Sequence, residues 1–163
     1  MSRSFVLKPN ATRQYPVVIE YDADVKYEIF QAFTGVGEDR KMIGMGGVVV
    51  AFMPTDQPDT YLAGVSMCSP EDAFDKELGK LKALGRITAE RERSTFGVVK
   101  PADVSMRQLA RKVVLEFMDI NGVRGHHTDY IHEHCLFPED MPEDLKARLV
   151  EQVDGITSVF SKV

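Results

Sequence analysis

One segment constrains the fold of this chain more than any other: SPEDAFDKELGKLKALGRITAERER, which predicts a single long amphipathic helix over residues 70–93. Ser69 is placed to cap it, with Pro70 at the first helical position and Asp72 completing a capping box. Acidic residues crowd the first turns, where the helix dipole favours negative charge. Apolar residues recur at helical spacing, so the predicted inward stripe is Phe74, Leu78, Leu81, Leu84 and Ile87.

Elsewhere the chain shows strand signals early and helix signals late. The segment Tyr15–Phe33 is ambiguous, and we interpret it as a strand followed by a short helix. The other predicted strands are 42–53, 60–68 and 95–99. The other predicted helices are 101–120 and one that begins at Pro142. This order predicts an α+β fold: a small antiparallel sheet with the long helix packed on it and further helices in the C-terminal half. With 163 residues and no repeat or linker, one domain over 1–163 is expected.

Composition narrows the cellular setting. Hydrophobic residues make up 44% and charged residues 28%, as in ordinary globular proteins. The longest apolar run, residues 46–53, is too short to span a membrane, and the N-terminus lacks the apolar core of a signal peptide. Cys68 and Cys135 fit reduced thiols better than a disulfide framework. We therefore expect a cytoplasmic protein without a membrane partner.

The net charge of −5 conceals a basic middle between two acidic arms. Residues 1–75 carry a net −5, residues 76–124 a net +5, and residues 125–163 a net −5. Such a basic middle is typical of an anion-binding surface. It is equally typical of a chain whose arms fold against the middle and neutralise it, and the sequence leaves both interpretations open.

The long predicted helix contains two glycines, Gly79 and Gly85. Each costs about 1 kcal/mol relative to alanine, so another backbone, a partner subunit or a ligand is expected to approach closely there. Lys82, Arg86 and Arg93 share one polar face that could hold phosphates. The alternative is a solvated charged face with partners one turn away.

All four histidines lie within GHHTDYIHEHC, residues 125–135. If this segment is extended, His132 and His134 leave the same face and could chelate zinc. The spacing matches neither zinc fingers nor the helical HExxH motif. The H-x-T at residues 126–128 is half of the two-histidine phosphoesterase signature, but that chemistry requires two such motifs. The alternative is a loop and strand whose hydrogen-bonded histidines titrate near neutral pH.

The run GVSMCSPEDAFDKELGKLKALGR, residues 64–86, resembles the strand–helix unit of small phage-encoded proteins. These include double-stranded-RNA-binding-like modules and anti-Thoeris-type proteins that sequester cyclic-nucleotide or cyclic ADP-ribose signals. Lys80 and Leu81 depart from the pattern, which favours arginine there. The resemblance implies a viral anti-defence protein that binds a nucleotide, and it is carried by Cys68, Asp72, Phe74, Gly79, Ala83, Gly85 and Arg86.

These features predict a non-enzymatic protein that sequesters a small anionic, nucleotide-like ligand. Lys82, Arg86 and Arg93 would bind phosphates, since the planar guanidinium of arginine can bind phosphate oxygens bidentately. Phe74 or Phe96, together with His127, would contact the base. We assign no catalytic residue. The sequence predicts no cofactor, and the alternative is zinc bound by His132 and His134.

Three other functions remain open. The acidic segment 137–144 could inhibit a host protein, and the histidine cluster could form a zinc-dependent enzyme. The basic middle could bind nucleic acid, although the net charge of −5 and the lack of tryptophan oppose this. The helix glycines and eight methionines favour a homo-oligomer.

Overall fold

A computed structural model describes residues 3–7, 17–21, 25–35, 37–55, 57–88, 95–122, 125–136, 143–154 and 160–162. The strands are β1 (Arg3–Leu7), β2 (Val17–Tyr21), β3 (Lys26–Thr34), β4 (Lys41–Pro54), β5 (Thr60–Ala73), β6 (Thr95–Val99) and β7 (Phe160–Lys162). The helices are α1 (Lys76–Thr88), α2 (Met106–Asn121), α3 (Gly125–Tyr130), which continues as a π-helical turn over Ile131–Leu136, and α4 (Glu143–Asp154). A 3-10 turn covers Gly37–Asp39.

Strands β3 to β7 form one antiparallel sheet in chain order, and β1 and β2 form a separate two-stranded ribbon. The predicted α+β fold is confirmed. Residues 48–53 of β4 are fully buried, which explains the unbroken apolar run in the sequence. A strand that is covered on both faces has no reason to alternate apolar and polar residues.

Helices cover both faces of the sheet. Val48, Val50 and Phe52 of β4 face α2 and the π-helical turn. Val49, Ala51 and Met53 face α1 on the other side. The period of two along a strand thus places successive residues of β4 in two separate cores. None of the helices within the described ranges is both long and apolar enough to cross a membrane.

Helix α1 begins later than predicted, at Lys76 rather than Pro70. Residues 69–73 continue β5, and the amide of Phe74 still donates to the carbonyl of Gly44 at 3.0 Å. The capping carboxylate belongs to Asp75, which accepts from the amide of Leu78 at 3.0 Å. The Ser69 hydroxyl instead accepts from the amide of Glu71. The predicted capping box is therefore wrong, because Ser69 and Asp72, which would have formed it, belong to β5.

The predicted apolar stripe is confirmed for Phe74, Leu84 and Ile87, which pack in the core on this side of the sheet, but it is wrong for Leu78 and Leu81. Leu78 and Leu81 are 46% and 69% exposed, whereas Gly79, Ala83 and Ile87 are buried. The helix lies too close to the sheet for leucine at the contact. A Cβ at Gly79 would lie 2.6 Å from Val49 Cγ2, and a Cβ at Gly64 of β5 would lie 2.3 Å from the Ala83 carbonyl oxygen. Small residues therefore form this interface.

Three further sequence predictions have definite outcomes. The short helix in residues 25–33 is wrong: that segment is β3, and pairing with β4 overrides its helical spacing. The helix predicted at 101–120 is confirmed as α2, but it begins five residues later, at Met106, with Ser105 as N-cap and Gly122 at φ 62° ending it. The helix from Pro142 is confirmed as α4. Gly79 faces the sheet and thus gives no support to the homo-oligomer, which stays a prediction.

The two glycines of α1 should respond oppositely to alanine. Gly79→Ala places a methyl group against the buried, β-branched Val49 and should lower the free energy of unfolding by about 1–3 kcal/mol. The methyl group of Gly85→Ala has no neighbouring atom within 4 Å, so this change should raise the free energy of unfolding by about 0.5–1 kcal/mol through helix propensity. Urea denaturation of both variants measures this. Equal gains in stability would contradict the close packing of α1.

Candidate anion-binding site

A cavity of about 220 Å³ runs along the outer side of β3, the edge strand of the sheet. We call it the β3-edge cavity. Lys76 reaches it from α1 and Arg107 from α2, so the two helical layers meet at this edge. Arg40 comes from the turn between β3 and β4. The described residues that line it are Ile29, Gln31, Phe33, Arg40, Lys76, Arg107 and Cys135.

Two of these cations are held on aromatic rings of β3. The Arg107 guanidinium lies 4.1 Å from the ring centroid of Phe30 and donates to the Ile29 carbonyl at 2.9 Å. The Arg40 guanidinium lies 3.9 Å from the ring centroid of Phe33. Stacking of a guanidinium on an aromatic face is favourable and restricts its orientation. The sheet edge therefore presents two oriented guanidinium groups.

Arg111, one turn after Arg107 on α2, adds to the positive potential. Burial, together with the charge of Arg107, lowers the pKa of Arg111 to about 10, and Glu28 acts in the opposite direction. Burial also lowers the pKa of Arg107, again opposed by Glu28. Arg111 donates to the Leu136 carbonyl at 2.8 Å and to the Gln108 side chain. A bound anion would favour the charged form of both arginines.

The β3-edge cavity adjoins a smaller one of about 90 Å³, which shares Gln31 and Lys76 with it. We call this the glycine cavity, because Gly44 and Gly46 line it at φ 78° and 72°. The register of β4 with β5 shifts at this point. A Cβ at Gly46 would lie 2.8 Å from the ring of Tyr130. Positive φ and the neighbouring ring both favour glycine here.

A third cavity, of about 290 Å³, lies between β5 and α1 and shares Phe74 with the glycine cavity. We call it the Ser66 cavity. It forms because β5 bulges away from β4: the pairing passes from Gly47↔Cys68 to Met45↔Ala73, which leaves residues 69–72 outside the register. Gly79 and Lys82 of α1 line the opposite wall.

The structure separates the ligand-binding residues predicted from the sequence. Lys82 and Phe74 line the Ser66 cavity together, whereas Phe96 is buried in the core. Arg86 donates to the Val65 carbonyl and lies 6.0 Å from the ring centroid of Phe117, so it ties α1 to β5 and α2. His127 lies in α3 and lines none of the three cavities. Arg93 lies outside the described residues.

The histidine segment is helical, so the extended geometry assumed for His132 and His134 is wrong. Nδ1 of His134 lies 3.1 Å from the Phe33 carbonyl oxygen, and its ring centroid is 4.9 Å from that of Tyr130. Within the described ranges, no three His, Cys, Asp or Glu side chains are grouped to hold a metal ion. The described geometry therefore lends the zinc hypothesis no support.

Both cysteines have raised pKa values. Burial, with a smaller contribution from Cys68, raises the pKa of Cys135 to about 12. Burial is also the largest cause that raises the pKa of Cys68, against an opposing hydrogen bond from the Gly46 backbone. The thiolate is the nucleophilic form of cysteine. Both thiols are therefore protonated at neutral pH and poorly suited to nucleophilic catalysis.

Sequence reasoning assigned none of Arg40, Gln31, Lys76 and Arg107 to a binding site. A positively charged residue in a predicted helix or turn carries no sign of which cavity it faces. The available signal was the net +5 of residues 76–124, which includes Lys76 and Arg107. The predicted phosphate-binding residues Lys82 and Arg86 do not line the β3-edge cavity.

Comparison of the chain with protein-family models, with curated proteins and with solved structures finds no match. The fold and the cavities therefore define the protein only as an α+β protein with a cationic cavity at one sheet edge. The resemblance of residues 64–86 to phage proteins stays a hypothesis. The acidic segment 137–144 lies outside the described residues except for its last two, so its role as a contact surface also stays a prediction.

The thiol pKa values predict slow chemical labelling. In the native protein at pH 8, Cys68 should react with a disulfide reagent more slowly than an unfolded thiol, and Cys135 should not react until the protein unfolds. The Cys68 rate should rise with pH as the thiolate forms. Mass spectrometry of the labelled peptides measures both rates. Rapid labelling of Cys135 in the native protein would contradict its burial.

Proposed function

We propose that the protein binds a small anionic, nucleotide-like ligand without chemically transforming it, and that the anionic group occupies the β3-edge cavity. One observation carries the proposal. Arg40, Lys76 and Arg107 come from three separate elements and converge on one cavity, and none of its described lining residues is acidic. Such an arrangement concentrates positive potential where an anion can enter.

The chemistry of these side chains suits phosphate or carboxylate oxygens. Arginine binds such groups bidentately, and lysine supplies a compact charge. Each charge-assisted hydrogen bond contributes about 1.5–3 kcal/mol, more than a neutral one. Arg107 is partly buried, so its attraction for an anion is screened less than that of a fully exposed residue.

A binding role fits this site better than a catalytic one. Its lining supplies charge and hydrogen-bond donors, and burial raises the pKa of its one described thiol, Cys135, to about 12, so this thiol is protonated at neutral pH. Sequestration of a nucleotide signal in the cytoplasm is the biological role that we propose. The similarity of residues 64–86 to anti-Thoeris-type proteins supports it. This role consumes one ligand per site and requires no turnover.

Two charge reversals on the same helix test the location of the site. Lys76 lines the β3-edge cavity, whereas Lys82 lines the Ser66 cavity. Lys76→Glu should weaken the binding of inorganic pyrophosphate by at least about 10-fold, which corresponds to one lost charge-assisted hydrogen bond. Lys82→Glu changes the net charge equally and should alter the affinity by less than about 3-fold, because Lys82 is exposed and lines a different cavity, where solvent and salt screen its charge.

Isothermal titration calorimetry at fixed ionic strength measures both variants. Because both lysines are exposed, circular dichroism should show that each variant keeps the native fold. Equal losses in the two variants would mean that pyrophosphate responds only to net charge. Absence of pyrophosphate binding to the unaltered protein would contradict the proposed function itself.

A further inference from the structure

The hydroxyl of Ser66 is buried in the wall of the Ser66 cavity. Ser66 is 6% exposed, and its backbone pairs with Val49 in the sheet. Across the ranges that the structure describes, no side chain or backbone group is hydrogen-bonded to this hydroxyl. A buried hydroxyl without a partner costs about 1–3 kcal/mol. Its position in a cavity wall points to a ligand that supplies the missing hydrogen bond.

Two polar groups next to Ser66 in this cavity already have hydrogen-bond partners within the chain. Cys68, two residues along β5, places its sulfur 3.5 Å from the Asp72 carbonyl and 3.6 Å from that of Ala73. The Asp75 carboxylate accepts from the Leu78 amide. Gly79 of α1 lines the opposite wall.

The Ser66 cavity is one of three neighbouring cavities. It shares Phe74 with the glycine cavity, which in turn shares Gln31 and Lys76 with the β3-edge cavity. Their volumes are about 290, 90 and 220 Å³. Each is below the roughly 300–1,000 Å³ of typical small-molecule sites, whereas the three taken together, which we call the groove, fall within that range.

The two ends of this groove differ in charge. The β3-edge cavity has three cations and no acid among its described lining residues. In the Ser66 cavity, the two carboxylates of Asp72 and Asp75 outnumber the single cation, Lys82. Carboxylates repel phosphate, so the anionic part of a ligand is favoured at the β3 edge. An uncharged, hydrogen-bonding part suits the other end.

We propose that the ligand is a nucleotide that spans the groove, with its phosphates in the β3-edge cavity and its nucleoside in the Ser66 cavity. A ribose hydroxyl or a polar edge of the base bonds to the Ser66 hydroxyl. The ring of Phe74, which lines the passage between the two ends, contacts the nucleoside. This assignment rests on the proposed function, since it places the phosphates in the cationic cavity.

Titrations with pyrophosphate and with ADP, GDP, CDP and UDP test the proposal. At least one nucleoside diphosphate should bind about 10-fold more tightly than pyrophosphate. Ser66→Ala should weaken the binding of that nucleotide by about 3- to 10-fold, which corresponds to the loss of one neutral hydrogen bond. The same variant should leave the affinity for pyrophosphate unchanged. Without ligand, the variant should be at least as stable as the parent protein, because the hydroxyl has no hydrogen bond to lose within the described chain.

Ser69→Ala is the matched control. Ser69 lines the same cavity, but its hydroxyl already accepts from the Glu71 amide at 3.2 Å, so this variant should change neither affinity by more than about 2-fold. The proposal is overturned if no diphosphate binds more tightly than pyrophosphate, or if Ser66→Ala has no effect or no more effect than Ser69→Ala. Those results leave the anion site intact. If pyrophosphate does not bind, both the proposed anion-binding function and the proposed nucleotide site are contradicted.

Discussion

The direct contact between α1 and the sheet is the constraint on which the rest of the structure depends. Gly64 of β5 and Gly79 of α1 allow the helix backbone to lie against the strands, where any Cβ would clash. Lys76 is one turn before Gly79, so this contact also fixes where Lys76 lies relative to the sheet. The same packing leaves Leu78 and Leu81 exposed and places Lys76 at the edge of β3. A looser helix would separate the cationic side chains.

The arrangement of the cavities also depends on the glycine-rich part of β4. Gly46 and Gly47 let Tyr130 and Phe74 approach the strand from neighbouring elements, and the irregular register opens the space between the cavities. A regular strand would close this space with side chains. The glycines of β4 thus account for the irregular backbone, for the aromatic packing and for the space between the cavities. The charged side chains of the β3-edge cavity and of the Ser66 cavity lie outside this region.

Much of the fold could be predicted from the sequence, because strong local signals agreed with tertiary packing. The apolar run of β4 and the Ser105 and Gly122 caps of α2 are such cases. The exposure of Leu78 and Leu81 on α1 could not be predicted, since leucines at helical spacing outweigh glycines in any periodicity argument. The candidate site was missed for a different reason. Arg40, Lys76 and Arg107 are distant in the chain, and only the sheet edge brings them together.

The central claim is that an anion binds at the edge of β3. Chemical-shift mapping of the ¹⁵N-labelled protein during a pyrophosphate titration tests it most directly, since it reports location without a mutation. We expect saturable shifts at the backbone amides of Gln31, Arg40 and Lys76 and at the side-chain Nε–H of Arg107. Shifts confined to the exposed face of α1 around Leu81 and Lys82, or no saturable shifts, would contradict the claim.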